Sequence, residues 1–254
     1  MKFKKANLSA EQLHNLAFAH RGLHDIGSGV AENSLDAFEA ACERGFGIEL
    51  DVRLSADGTP HVFHDVTLRR AAGIKKLICS LTDRELRDIR IFGSQSRIPT
   101  FAEVLERIAD RVPLLVELKS DKKSPDPTRA VHSLLKNYGG RYLVQSFDPR
   151  QLRLYRKLCP DTPVGLLATG LRENGEKIAR VIDYALRNLR VDFICRPDFI
   201  SYEFSKRDKL PALARRRLAR GPEFSWTIRT PEDYSRAKSL GCIPIFEGFV
   251  PENR

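Results

Sequence analysis

Residues Ile48 to Asp65 read IELDVRLSADGTPHVFHD. Side chains two apart on a strand share a face, so Glu49 and Asp51 point one way while Leu50 and Val52 point the other. Asp57-Gly58 is a turn signal, and Pro60–His64 is expected to come back as a short extra strand against Gly47–Leu54. Two carboxylates side by side on an inner face are costly to bury alone. A fold that seats them must therefore supply something to offset their charge.

On either side of this block, short apolar runs alternate with amphipathic stretches along the whole chain. The expected strands are Leu16–His20, Gly47–Leu54, Leu114–Lys119, Tyr142–Phe147, Val164–Ala168, Phe193–Tyr202, Phe224–Ile228 and Ile243–Gly248. Helical periodicity fills most of the gaps. Asn33 is read as the cap of a helix over Ser34–Arg44, ended by Gly45. Thr82/Glu85, Thr100/Glu103 and Thr230/Asp233 read as capping boxes, and Ser9/Gln12 suggests a similar start before the first strand. Parallel strands need a crossover between them, so strand–helix alternation implies a parallel sheet. About eight such units predict an α/β fold of the (β/α)8 TIM-barrel type, with a short hairpin extension after the second strand. No linker or repeat interrupts it, so one domain over residues 1–254 is expected.

The composition is that of a folded domain, with 42% hydrophobic and 30% charged residues. The net charge of +10 favours anionic partners. Five scattered cysteines form no C-x-x-C pair, which argues against a zinc site or disulfide framework. The amino terminus does not read as a signal peptide, and no run approaches the roughly 20 apolar residues that span a bilayer. A cytoplasmic protein without stable membrane insertion is expected. Arg215, Arg216, Arg217 and Arg220 read as a solvated basic helix face. Basic strand faces with interleaved aromatics are missing, so no nucleic-acid partner is expected.

Residues able to do chemistry gather at the carboxyl ends of the expected strands, where such barrels assemble their sites. His20-Arg21-Gly22 ends the first, Glu49 and Asp51 lie on the second, His64-Asp65 ends the hairpin, and Glu117 and Lys119 lie on the third. An isolated E-x-D pair can equally form an interior salt bridge. Three carboxylates, two histidines and an arginine on consecutive units point instead to a site. All-oxygen ligation suits a hard divalent cation, Mg²⁺ or Ca²⁺. Histidine titrates near neutrality, which suits His20 and His64 to proton transfer. Arg21 offers a planar fork for phosphate oxygens and Lys119 a point charge. Trp226, the only tryptophan, lies on an expected strand where it can pack against a substrate carbon chain or fill the barrel mouth.

The chain resembles the glycerophosphodiester phosphodiesterase family. The matching stretches are HRG at His20–Gly22, ENSLDAFEAA from Glu32, the block Ile48–Asp65, IPTFAEVL from Ile98, VELK at Val116–Lys119, QSFDP from Gln145 and SWT at Ser225–Thr227. The resemblance implies a barrel that hydrolyses glycerophosphodiesters, a small anionic substrate, to an alcohol and glycerol 3-phosphate. It implies metal ligation by Glu49, Asp51 and Glu117, acid–base work by His20 and His64, and phosphate contacts from Arg21 and Lys119. Two positions depart from the family pattern: Arg229 stands close after SWT, and Glu247 ends the last strand. A lysophospholipase D or sphingomyelinase D-like activity and a silent anion-binding barrel are the rival readings.

Overall fold

A computed structural model describes residues 10–119, 124–169, 192–209 and 221–252. The basic run at Arg215–Arg220 and the cap at Ser9 lie outside the described residues. The chain divides into two compact units, residues 18–143 and residues 1–17 with 144–254.

The first unit is built on β2 (Gly47–Leu54), every residue of which is buried. β1 (Phe18–His20) pairs parallel with it on one side, with Phe18 opposite Gly47 and His20 opposite Glu49. β4 (Leu114–Leu118) pairs parallel on the other side, with Asp51 opposite Glu117. Gly47 is required by this pairing, since a Cβ there would stand 2.7 Å from the Phe18 ring. The expected hairpin is present: β3 (Pro60–Val62) runs antiparallel to β2, with Val52 opposite Val62. The extension is longer than its strand. Phe63, Leu68, Ala71, Ile78, Leu81, Leu86, Ile91 and Ile98 close a separate apolar cluster with Ala31. That cluster holds the segment carrying His64 and Asp65.

The helix after β1 covers Leu35–Glu43, and its cap is Ser34, whose hydroxyl accepts from the Ala37 N–H at 3.2 Å. The expected cap, Asn33, is one residue too early and stands in the left-handed region at φ 54°. Thr82 and Thr100 form the full reciprocal capping boxes with Glu85 and Glu103.

The second unit carries parallel neighbours throughout. β5 (Tyr142–Ser146), which spans the border of the units, pairs with β6 (Val164–Ala168), β6 with β7 (Phe199–Glu203), β7 with β8 (Glu223–Ile228) and β8 with β9 (Ile243–Phe246). The helices Pro149–Leu158 and Pro231–Ser239 follow β5 and β8. Thr230 caps the latter by accepting from the Asp233 N–H at 3.1 Å. The strand expected over Phe193–Tyr202 starts later. Asp192–Cys195 is a helical turn, Arg196 takes φ 46°, and Pro197 has no N–H to give a ladder. Among the described residues, eight strands have parallel partners and only β3 is antiparallel to its neighbour.

Candidate active site

The three expected carboxylates come together. Glu49, Asp51 and Glu117 each place an oxygen within 4.8 Å of the others, and all three are buried. Strand geometry does this: Glu49 and Asp51 share a face of β2, and the β2–β4 register sets Glu117 beside Asp51. Lys119, just past β4, lies 3.1 Å from Asp51 Oδ1 and 2.7 Å from Glu117 Oε1. Both contacts pair a buried ammonium with a buried carboxylate. Three buried carboxylates within reach of one another, all hard oxygen donors, fit a divalent cation.

The charges respond to burial and to one another. Burial, reinforced by repulsion from Asp51 and Glu117, pushes Glu49 well above the usual carboxylate range. Burial raises Glu117 too, against the attraction of Lys119. Asp51 meets the same burial, yet Lys119, His64 and Arg21 hold it well below its ordinary value. Asp51 is thus the stable anion of the cluster.

His20 closes β1, and its Nε2 stands 3.9 Å from Glu49 Oε2. Arg21 follows at φ 59°; its backbone N–H donates to Glu49 at 3.3 Å, its Nε lies 3.5 Å from Asp51, and its Nη1 donates to Glu32 at 2.7 Å. Gly22 completes the turn at φ 82°, where a Cβ would stand 2.8 Å from that of Ala37, so the chain can approach the helix this closely only with glycine.

His64 follows β3. Its Nδ1 shares a 2.7 Å hydrogen bond with Asp65 Oδ1, and its carbonyl accepts from Arg53 Nε at 2.7 Å. Burial pushes the His64 imidazole below its ordinary value against the attraction of Asp51. A cavity of about 580 Å³ opens beside it, lined by Arg53, Asp65 and Arg70 among others.

Trp226 belongs to the other unit, where its ring meets Phe147 edge-on at 5.8 Å. The two positions that depart from the family pattern pair with each other, Arg229 Nη2 standing 2.7 Å from Glu247 Oε1. Sequence reasoning missed Asn33, Glu32 and Arg70. Asn33 Nδ2 donates to Asp51 Oδ2 at 2.9 Å, and Glu32 holds both Arg21 and Arg70.

The model of the glycerophosphoryl diester phosphodiesterase family matches residues 20–250. The chain belongs to that family. A glycerophosphodiester phosphodiesterase of Caldanaerobacter subterraneus subsp. tengcongensis is 31% identical over 245 residues, 92% of this chain and 93% of that one. Among solved structures, a glycerophosphodiester phosphodiesterase from Parabacteroides distasonis is 25% identical with a TM-score of 0.71, covering 91% of this chain and 92% of that one. An Oleispira antarctica phosphodiesterase, solved in complex with the product sn-glycerol-3-phosphate, is 22% identical with a TM-score of 0.72, covering 94% of each chain. Family membership makes the chain an enzyme of the phosphoric diester hydrolase class. The likeness, with eight parallel strands alternating with helices, assigns the expected (β/α)8 TIM-barrel fold class. Among the described residues no helix is long and apolar enough to cross a membrane.

Proposed function

We propose that this phosphodiesterase hydrolyses small glycerophosphodiesters to an alcohol and glycerol 3-phosphate, with a divalent cation and two histidines. The observation that carries this is the buried triad Glu49, Asp51 and Glu117, with His20 at its edge. The Oleispira antarctica structure, solved with sn-glycerol-3-phosphate, supports a small anionic substrate.

Glu49, Asp51 and Glu117 would hold Mg²⁺ or Ca²⁺, which supplies Lewis-acid neutralisation of a phosphodiester. Arg21 binds phosphate oxygens through guanidinium N–H groups other than the one engaged by Glu32. Lys119 adds positive charge where charge develops in the transition state. One histidine takes the proton of the attacking oxygen and the other protonates the leaving alcohol. Asp65, by accepting from His64 Nδ1, leaves Nε2 for the reacting group.

The catalytic domain is the whole chain, a reading supported by a family match that runs through both units. Five free cysteines fit a reducing compartment such as the cytoplasm.

The test is release of glycerol 3-phosphate from glycerophosphoethanolamine and glycerophosphocholine, with and without EDTA. Release that stops in EDTA and returns with Mg²⁺ or Ca²⁺ is expected. No release from either substrate in the presence of both metals overturns the reading.

A further inference from the structure

Arg70 lies in the short helix Arg69–Ala72 and belongs to none of the groups just described. Its guanidinium is nevertheless shared between two carboxylates that each hold a reacting group. Nη1 and Nη2 donate to the two oxygens of Glu32 at 2.9 and 2.6 Å. Nε and Nη2 donate to the two oxygens of Asp65 at 2.7 and 3.1 Å. Asp65 in turn accepts from His64 at 2.7 Å, and Glu32 accepts from Arg21 at 2.7 Å. An unbroken chain of charge-assisted contacts thus runs His64–Asp65–Arg70–Glu32–Arg21.

We infer that Arg70 is a positioning residue that fixes the proton-transfer group His64 relative to the phosphate-binding group Arg21. Only a planar fork can do this, because both carboxylates are met edge-on by several N–H groups of one rigid plane. The plane itself is held from the side: the guanidinium carbon lies 5.0 Å from the centre of the Phe92 ring. Phe92 is tied to the same helix by donating its backbone N–H to Ala71 at 2.6 Å. The side chain of Arg70 is 45% exposed, whereas that of Glu32 is 8% exposed. Arg70 thus reaches inward from solvent to close the network, and Glu32 keeps Arg21 as a partner when Arg70 is removed. The inference rests on the proposed roles of His64 and Arg21.

The test compares kcat and KM on glycerophosphocholine, with saturating Mg²⁺, for the wild type and for Arg70→Ala, Arg70→Lys, Asp65→Ala, the double variant Asp65→Ala/Arg70→Ala, and His64→Ala. Thermal unfolding is followed on each. Misplacing a reacting group by about 1 Å can cost on the order of 10²-fold in rate, and a loss of that order in kcat is expected for Arg70→Ala. Tm should fall only modestly, since Glu32 keeps its contact with Arg21. Arg70→Lys keeps the charge but loses the fork, and should recover only a small part of the loss. In the Asp65→Ala background, removing Arg70 should cost about ten-fold or less, because one arm of the constraint is already gone.

Three results would overturn the role: wild-type kcat in Arg70→Lys, full multiplication of the two single losses in the double variant, or a fall in Tm with unchanged kcat in Arg70→Ala. Should Arg70→Ala not fold, Arg70→Lys decides alone. His64→Ala separates the two levels. Near-normal turnover there overturns the catalytic reading and this inference together. An inactive His64→Ala beside an unaffected Arg70→Ala overturns only the role given to Arg70.

Discussion

Asn33 Nδ2 donates a 2.9 Å hydrogen bond to Asp51 Oδ2, while the Asn33 backbone N–H donates to the Arg21 carbonyl at 2.8 Å. One residue thus orients the carboxylate of the cluster that stays charged and anchors the turn that carries Arg21. Partners that orient a metal ligand are typically worth 10- to 100-fold in affinity. Asn33→Gly keeps the left-handed backbone and removes only the amide, so it should weaken Mg²⁺ or Ca²⁺ binding by about that factor. Calorimetric titration gives the answer, and an unchanged Kd would rule the role out.

Glu49→Gln and Asp51→Asn should each weaken metal binding and abolish turnover. Both remove a buried charged oxygen from a cluster that a cation would neutralise. Full activity of either variant in EDTA contradicts the assignment.

His20→Ala and His64→Ala should each lose about 10²–10⁴ in kcat on a natural diester while remaining folded. A p-nitrophenyl ester, whose leaving group needs no proton, should partly rescue whichever variant lost the acid and leave the other slow. Equal rescue of both, or of neither, is inconsistent with a divided acid and base.

Stability should fall in mild acid. His61 has no exposed surface, and its Nε2 faces Asp83 Oδ1 at 3.3 Å without hydrogen-bond geometry. Burial lowers its pKa from 6.5 against the pull of Asp83. The unfolded chain therefore binds this proton more readily than the folded one. The contribution is complete above pH 6.5 and is lost as pH falls from 6.5 through the lower folded value. Tm measured from pH 7.5 to pH 5 should drop, and His61→Gln should flatten the slope. An identical slope in the variant would sink the claim.

Glycerophosphoethanolamine or glycerophosphocholine should be turned over with higher kcat/KM than lysophosphatidylcholine. Enzymes that work among acyl chains present an inserting apolar surface. Here the described loop after β1 is polar or small over Leu23–Gly29 apart from Leu23 and Ile26, and Asp148–Gln151 follows β5. The reverse ranking, with co-sedimentation on anionic vesicles, would favour the lysophospholipase D reading.

Much of this was legible before the structure. Alternation on β2 announced which side Glu49 and Asp51 take, and the repeat of that spacing at Glu117 and Lys119 announced that a second strand does the same. Both rest on the two-residue period of a strand, a local property. The errors have local causes as well. Asn33 looks like a cap because its side chain suits one, but Ser34 occupies that position and frees the amide for Asp51. The apolar run at Phe193–Tyr202 is broken by Pro197, which carries more weight than the apolar pattern around it. The pairs Arg70–Glu32 and Arg229–Glu247 had no local signal, since their partners stand 38 and 18 residues apart. Only the assembled fold makes those residues neighbours.

Arg21 at φ 59° and Asn33 at φ 54° both hold the left-handed conformation, which costs an arginine about 1–2 kcal/mol over glycine and an asparagine less, because its short polar side chain can hydrogen-bond locally. Each is also tied to the carboxylate cluster. At these two points the chain accepts backbone strain to keep a guanidinium and an amide where they stand. A search for hardier variants that scored backbone strain alone would drift toward glycine at both sites, and would discard the Arg21–Glu32 and Asn33–Asp51 hydrogen bonds along with it.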